Sequence, residues 1–347
     1  VNHSEKSADT KTGSLATLAG RVSLCLGSWG WLVISAFAVG TVVTFFARQH
    51  WIADLCANLR VQQVFAISLV LLLAVLIRKW WLAVTAGLLI AIHLPWFVNA
   101  FPSTGQKVAS AEGITVTSVN VLSGNHEYDR IIADVLDHDP DVVAVIELTP
   151  ELDVRLRLDL EKYPHAIALP QQFGNFGIGI YSKYPTSNLQ VFQSVAEISS
   201  IAVTVAVQEQ DSVVRNFRVF ATHPLPPMNR SQFAQRNDQL RDVARRVKEH
   251  RQQLPGVPAM LVGDLNLTPW SPWFTELQSQ SGLIRGINTF TLTPTWYRYS
   301  GFPFGLVLDH GLVDPSLVCT DYKVGPSIGS DHRSITIRLA LSEPQSQ

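Results

Sequence analysis

Gly263-Asp264-Leu265-Asn266 and Gly329-Ser330-Asp331-His332 are two short polar clusters, each lying against an apolar run that reads as a buried strand. Side chains alternate with period two along a strand, so Asp264 and Asn266 fall on the same side. The two clusters together offer carboxylates, an amide and an imidazole. Carboxylates hold a hard divalent ion and polarise water. An amide steers a phosphate oxygen, and an imidazole balances developing charge. This set suits metal-assisted hydrolysis of a phosphoester.

Working back from these clusters, the chain alternates strand and helix signals. Ile114–Leu122 is rich in β-branched residues and reads as a strand. Tyr128–Asp137 sets Ile131, Ile132, Val135 and Leu136 on one helical face. Asp139-Pro140-Asp141 is a turn, and Val142–Leu148 is a continuous apolar strand. The unit is strand–helix–strand, most simply parallel. A helix follows over Glu151–Glu161, then strands over Gly177–Ser182, Ile201–Val207 and Phe217–Thr222, and a charged amphipathic helix over Gln232–His250. Pro258–Val262, Val307–Val313 and Ser334–Leu339 complete the strands. Sheets packed face to face under helical cover are the simplest architecture for this order.

Polar residues recur where these apolar strands end. Asn120 closes the first strand and Glu147 its parallel neighbour; His223, the Asp264/Asn266 pair, Asp309 and the Asp331/His332 pair mark the others. Each has an ordinary alternative. Asn120 can form a turn, Glu147 or Asp264 can cap a helix, and His223 before Pro224 can be a satisfied loop histidine. Recurrence at six segments favours a shared site, placed where open α/β sheets carry theirs.

In that order, Ser118-Val119-Asn120, Val145-Ile146-Glu147, Ala221-Thr222-His223, Gly263-Asp264-Leu265-Asn266, Leu308-Asp309-His310 and Ser330-Asp331-His332 resemble the endonuclease/exonuclease/phosphatase superfamily with its DNase I-like fold. Gly177–Pro185 resembles that family's glycine-led strand and Ser-Lys turn, and Thr295-Trp296 its Thr-Trp pair. The resemblance covers about residues 110 to 340. It implies an α/β four-layer sandwich, with two central β-sheets flanked by helices, and a Mg²⁺-dependent phosphoester hydrolase site in which Mn²⁺ can substitute. By position, Asn120, Glu147 and Asp331 resemble the metal ligands, with Glu147 principal. Asp264 resembles the group that orients or deprotonates the attacking water. Asn266, His223 and His332 resemble the phosphate contacts, and Asp309 the partner of His332. The acid that pairs with the His223-type histidine in some members is not evident between Tyr163 and Ser182.

The remainder of the chain differs in composition. The 347 residues are 47% hydrophobic and only 16% charged, against roughly 25% charged in soluble domains. The deficit is concentrated at residues 22–47, 61–77 and 80–106, which carry no charge. A membrane-spanning helix needs roughly 20 apolar residues. The first and third stretches are long enough; Gln62 and Gln63 shorten the middle one, whose alternative is a buried or interfacial helix. A cleaved signal peptide is the rival for the first stretch, but the apolar run continues past the Ala36-Phe37-Ala38 site.

The expected organisation is therefore an N-terminal cytoplasmic tail at 1–21, a bundle of about three transmembrane helices within 22–100 (24–46, 61–77 and 80–98), a linker at 101–109, the catalytic domain at 110–341 and a tail at 342–347. Lys6, Lys11 and Arg21 precede the first span, and Arg78-Lys79 lie between the second and third. Placing them in the cytoplasm puts the catalytic domain outside. Arg48 and Arg60, in the intervening loop, pull the other way. Cys319 is the only cysteine after the spans, so no disulfide forms within the C-terminal domain.

From Lys107 onward there are 20 Lys plus Arg against 25 Asp plus Glu. This mild acidity argues against a duplex-DNA binder. The basic residues Arg236, Arg241, Arg245, Arg246, Lys248 and Arg251 are interleaved with acids and read as a solvated helix face. The expected partners are a phosphoester, with a lipid head group or soluble phosphoester ahead of duplex DNA, and the lipid bilayer. The resulting reading is a membrane-anchored, divalent-metal-dependent phosphoesterase. Its alternatives are a nuclease and a non-catalytic membrane module that keeps the fold. A transporter is disfavoured because the spans carry only His93 as an ionisable group away from their ends.

Overall fold

In the computed structural model, residues 28–103, 108–194, 197–208, 214–298 and 304–342 are described. The tail expected at 1–21 and residues 343–347 lie outside them.

Two six-stranded mixed sheets carry the C-terminal part. In the first, the order is β13(Leu317–Val324), β14(Ile335–Ser342), β1(Val108–Asn120), β2(Val142–Ile146), β4(Ile178–Ser182), β3(His165–Leu169). In the second it is β5(Thr186–Gln193), β6(Ser199–Gln208), β7(Val214–Ala221), β8(Ala259–Asp264), β12(Asp309–Val313), β9(Ile284–Arg285). A small ribbon, β10(Trp296–Tyr297) with β11(Gly305–Leu306), lies beside them. β1 and β2 pair in parallel, joined through α5(Tyr128–His138), as the strand–helix–strand pattern predicts.

The sheets face each other across one apolar core. Val116, Ala144 and Ile180 of the first sheet meet Val203, Val219 and Val262 of the second. The other face of each sheet is covered by helices. α5 and α6(Pro150–Asp159) bury Ile131, Val135, Leu152 and Leu156 against Val143 and Val145. α7(Arg230–Gln253) and α8(Pro272–Ser281) bury Leu240, Val243, Phe274 and Leu277 against Phe220 and Leu261. The result is helix, sheet, sheet, helix. Each fully buried Val, Leu or Ile contributes about 1.5–3 kcal/mol relative to exposure.

The N-terminal part is helical: α1(Ser28–Thr44), α2(Trp51–Asn58), α3(Arg60–Leu76) and α4(Trp80–His93), the last continuing as a tight turn of helix over Leu94–Ala100. Among the described residues, Trp80–Ala100 is the one helix long and apolar enough to cross a membrane. α2 and α3 reach that criterion only as a pair bent by 62°, and α1 is shorter. The bend gives α2 a direction of its own, and α2 packs on the C-terminal part instead of continuing α3. Trp29, Gly30 and Val33 of α1 line one apolar cleft with Leu73, Ala74, Ile77 and Leu82. The start of α1 therefore lies beside the Arg78-Lys79 turn, at the end away from the sheets. Near the sheets a buried polar chain ties the helices together. His93 sits between Thr41 (3.0 Å) and Arg60 (3.1 Å), and the Arg60 guanidinium lies 4.2 Å from the Trp96 ring.

Candidate active site

Strand register alone gathers most of the polar strand ends. Asn120 is paired with Ile146, so Glu147 follows at its side. Ala221 of β7 pairs in parallel with Val262 of β8, which brings His223 and Asp264, each two residues on, next to each other. β12 runs antiparallel to β8 and sets Asp309 opposite Asp264. The site thus forms along the seam between the two sheets.

Asn120 bridges the seam. Its Nδ2 donates to Glu147 Oε1 and to Asp264 Oδ2, both at 3.1 Å. Its Oδ1 accepts from the Leu122 amide at 3.1 Å. An amide nitrogen, where the resemblance implied an oxygen ligand, therefore meets the Glu147 carboxylate. The other oxygen of Glu147 accepts from the Ser123 amide (3.1 Å) and hydroxyl (2.9 Å). Glu147 holds a positive φ of 64° and Asn266 one of 50°. Each such residue stores about 1–3 kcal/mol of backbone strain, which clusters at functional sites.

Asp264 is the hub. Besides Asn120, its Oδ2 lies 3.4 Å from His223 Nε2 and 3.5 Å from His332 Nε2. Its Oδ1 accepts from the Asn266 amide at 2.9 Å. Burial alone would raise the Asp264 carboxyl, but His332, His223 and the Asn266 amide outweigh it and hold the group at about 2. His332 Nδ1 donates to Asp309 Oδ2 at 2.8 Å. Burial opposes charge on that imidazole, and Asp309 and Asp264 overcome it, pushing it up to about 10. Burial also pushes the Asp309 carboxyl up against the pull of His332. Both upward shifts concern one shared proton. We assign it to the imidazole, because a second carboxylate, Asp264, also faces His332.

Two residues join this network through their neighbours. The Asn266 side chain donates to the carbonyl of Pro224, next to His223, at 2.9 Å. Asp331 Oδ2 accepts from the Trp296 indole at 2.8 Å, and Ser330 Oγ donates to the Asn120 carbonyl at 2.8 Å. His223 has Asp264 as its partner, and its ring packs 5.2 Å from Phe176. Asp264 of β8 faces Nε2, while Nδ1 is buried with no partner among the described residues, so the acid sought on an earlier strand is not found there.

The donor chemistry fits a hard divalent ion at Glu147 and Asp331. Asp331 Oδ1 is buried with no partner among the described residues, and Glu147 is a buried carboxylate. Asp264, Asp309 and His332 also offer ligand atoms within 4.8 Å of one another. That trio fits an ion only if His332 gives up its Nε2 proton; the Nδ1 bond to Asp309 can remain. With the imidazolium in place it is an ion-pair relay.

The sequence reading missed Ser123 and Arg236. Ser123 stands in a loop with no pattern to mark it. Arg236 is completely buried, contrary to the solvated helix face expected for it. Its stripe was the available signal, since Phe233, Leu240, Val243 and Val247 at helical spacing share that buried side.

A sequence model of the Endonuclease/Exonuclease/phosphatase family matches residues 117–332. Comparison with curated proteins finds no match. Among solved structures, an endonuclease/exonuclease/phosphatase from Beutenbergia cavernae is similar at TM-score 0.51 and 20% identity, over 66% of this chain and 71% of that one. The human Nocturnin catalytic domain with bound sulfate gives 0.54 and 18%, over 66% and 94%. D. rerio TDP2 in complex with a single-strand DNA product gives 0.52 and 16%, over 65% and 98%. At these identities the structures establish a shared fold. The family match covers more than half of the chain, which therefore belongs to the endonuclease/exonuclease/phosphatase family of metal-dependent phosphoester hydrolases.

Proposed function

We propose that this chain is a membrane-anchored phosphoesterase that hydrolyses a phosphodiester or phosphomonoester by attack of water at the seam between the sheets. The observation that carries this reading is the buried line Asp309–His332–Asp264–Asn120–Glu147, with His223 also on Asp264. It joins strand ends far apart in the sequence and has no purpose in packing.

Glu147 and Asp331 would hold Mg²⁺, or Mn²⁺ in its place, with Asn120 joining them if its amide turns to present oxygen. When bound, such an ion polarises a phosphoryl oxygen and eases departure of the leaving oxygen. Asp264, held ionised at about 2, has little affinity for a proton. It suits orienting the water better than removing its proton. His332, kept protonated by Asp309, offers positive charge to a phosphoryl oxygen as negative charge develops there. His223 and Asn266 flank Asp264 and serve as further contacts to phosphate.

The membrane part of the proposal rests on the helical region. Leu32, Val39, Leu72, Leu76, Trp81 and Leu88 are all exposed, an outward apolar surface that lipid would cover. The Arg78-Lys79 turn and the start of α1 share the end away from the sheets, which agrees with a cytoplasmic position for both and an extracytoplasmic catalytic domain. The mildly acidic domain favours a lipid head group or soluble phosphoester over duplex DNA. The test is a substrate panel on the full chain: bis-p-nitrophenyl phosphate, phospholipids, inositol phosphates, and single-stranded and duplex DNA, each with Mg²⁺, Mn²⁺ or EDTA. Metal-dependent turnover of a non-nucleic-acid phosphoester supports the reading. Turnover of duplex DNA alone sinks it.

A further inference from the structure

The loop that follows Asp264 is held largely from outside its own domain. Asn58 Oδ1 accepts from the Thr268 amide (2.7 Å) and hydroxyl (2.9 Å), and the Asn58 carbonyl accepts from the Trp270 indole at 2.9 Å. Asn99 Nδ2 donates to the Pro269 carbonyl at 3.0 Å. Asp54 Oδ1 faces the Ser271 hydroxyl at 3.4 Å, and Asp54 Oδ2 pairs with Arg236 Nη2 at 2.9 Å. The same guanidinium donates through Nη1 to the Asn266 carbonyl at 3.1 Å. Asp54, Asn58 and Arg236 are all buried.

We propose that Asp54 and Asn58 of α2, together with Arg236 of α7, are positioning residues of the active site, which fix the loop 265–271 and through it the backbone conformation of Asn266, whose amide orients Asp264. The proposal rests on the reading of Asp264 and Asn266 as part of the phosphoester site.

Three features separate positioning from a simple weld between two parts. First, the bonds converge on consecutive residues of one loop, the loop that leaves Asp264. Second, Asp54 and Asn58 are spaced by four and share a face of α2. Asn58 Nδ2 donates to the Asp54 carbonyl at 2.9 Å, which fixes the amide with its oxygen towards Thr268. Third, Arg236 spans the gap: one nitrogen on the α2 carboxylate, another on the backbone of a site residue. Asn266 keeps its strained positive φ while its amide bonds Asp264 and its side chain bonds Pro224. The carbonyl that Arg236 holds and the amide that bonds Asp264 lie in the two peptide planes joined at the Asn266 Cα, so freeing the carbonyl would let the strained φ of Asn266 relax and the amide bond move with it.

The experiment uses the full chain in detergent micelles, with bis-p-nitrophenyl phosphate and Mg²⁺. Asn58→Ala and Arg236→Lys are compared with wild type for kcat, KM, melting temperature and hydrogen exchange of peptides covering 265–271. Arg236→Lys keeps the charge opposite Asp54 but loses the planar fork that reaches two partners. We expect kcat to fall about 10–100-fold in both, with KM little changed and faster exchange confined to 265–271. Arg48→Ala, which removes a contact of the same interface to Glu276 and Pro272, should leave kcat as it is. Wild-type kcat with unchanged exchange in both variants overturns the proposal. A uniform fall in kcat for Arg48→Ala as well overturns it in favour of a weld. Should Arg236→Lys fail to fold, Asn58→Ala decides, since it touches no charge. If the wild type turns over nothing, the hydrolase reading has failed separately, and unchanged exchange in the variants overturns the positioning.

Discussion

Asp264 receives four polar neighbours on two oxygens, and Glu147 receives three. Glu147→Gln removes the charge from the proposed ion site with little change of shape, so metal-dependent turnover of bis-p-nitrophenyl phosphate should vanish. His332→Ala should lower kcat by roughly 10²–10³, the usual loss for one electrostatic contact, with a smaller effect on metal affinity measured by calorimetry. Asp309→Asn should be milder, since the imidazole remains. The His332 shift also has a signature in stability. A raised imidazole pKa stabilises the fold fully below its ordinary value of 6.5 and loses that contribution as pH rises through about 10. In EDTA, the gap in unfolding free energy between wild type and His332→Ala should be largest below pH 6.5 and shrink on the alkaline side. All eight candidate residues were legible because a polar residue ending an apolar strand breaks a pattern. Ser123 broke none, so only the folded turn after Asn120 reveals that it holds Glu147.

Strand and helix elements set these residues by register, and one glycine guards the register at β8. Gly263 has φ +141°, and a Cβ there would stand 2.0 Å from the Thr222 carbonyl oxygen. Gly263→Ala should destabilise the fold by at least ~1–3 kcal/mol, read by urea unfolding. It should lower kcat as well, because the clash separates the strand ends that bear His223 and Asp264. The parallel β1–α5–β2 unit was legible from its two periodicities. β5 was not, because six of its eight residues are exposed and Phe192 alone is buried. β3 and β13 escaped for a related reason: each lies at the edge of its sheet, half-buried, with weaker patterning. The 62° bend before α3 was equally hidden. No proline or glycine marks it, and the packing of α2 on the loop 265–271 accounts for it.

At the scale of the whole molecule, the helices and the sandwich meet through buried polar groups as well as apolar ones. Trp270, Val307 and Val61 form a small shared core, with Trp96 and Phe97 against it. For the proposed topology, alkaline phosphatase fused after Gln106 should be active, and a cytoplasmic reporter at the same place silent; the reverse would turn the catalytic domain inward. Charge gaps made the helical region legible in the sequence. Its docking was not, because Asp54 and Asn58 look like ordinary loop residues until their partners some 180 to 210 residues later are known.

That docking changes what the covalent link between the two parts is for. A break in the chain at Gly105 would leave the Asp54–Arg236 pair, the Asn58 bonds and the shared apolar core of Val61, Trp270 and Val307 in place. A nicked molecule should therefore migrate as one particle in detergent. Residues 1–103 and 104–347, produced as separate chains, should find each other and restore turnover that the second piece alone has lost. The enzyme would then behave as a two-component system written in one reading frame, whose activity reports that its parts have met.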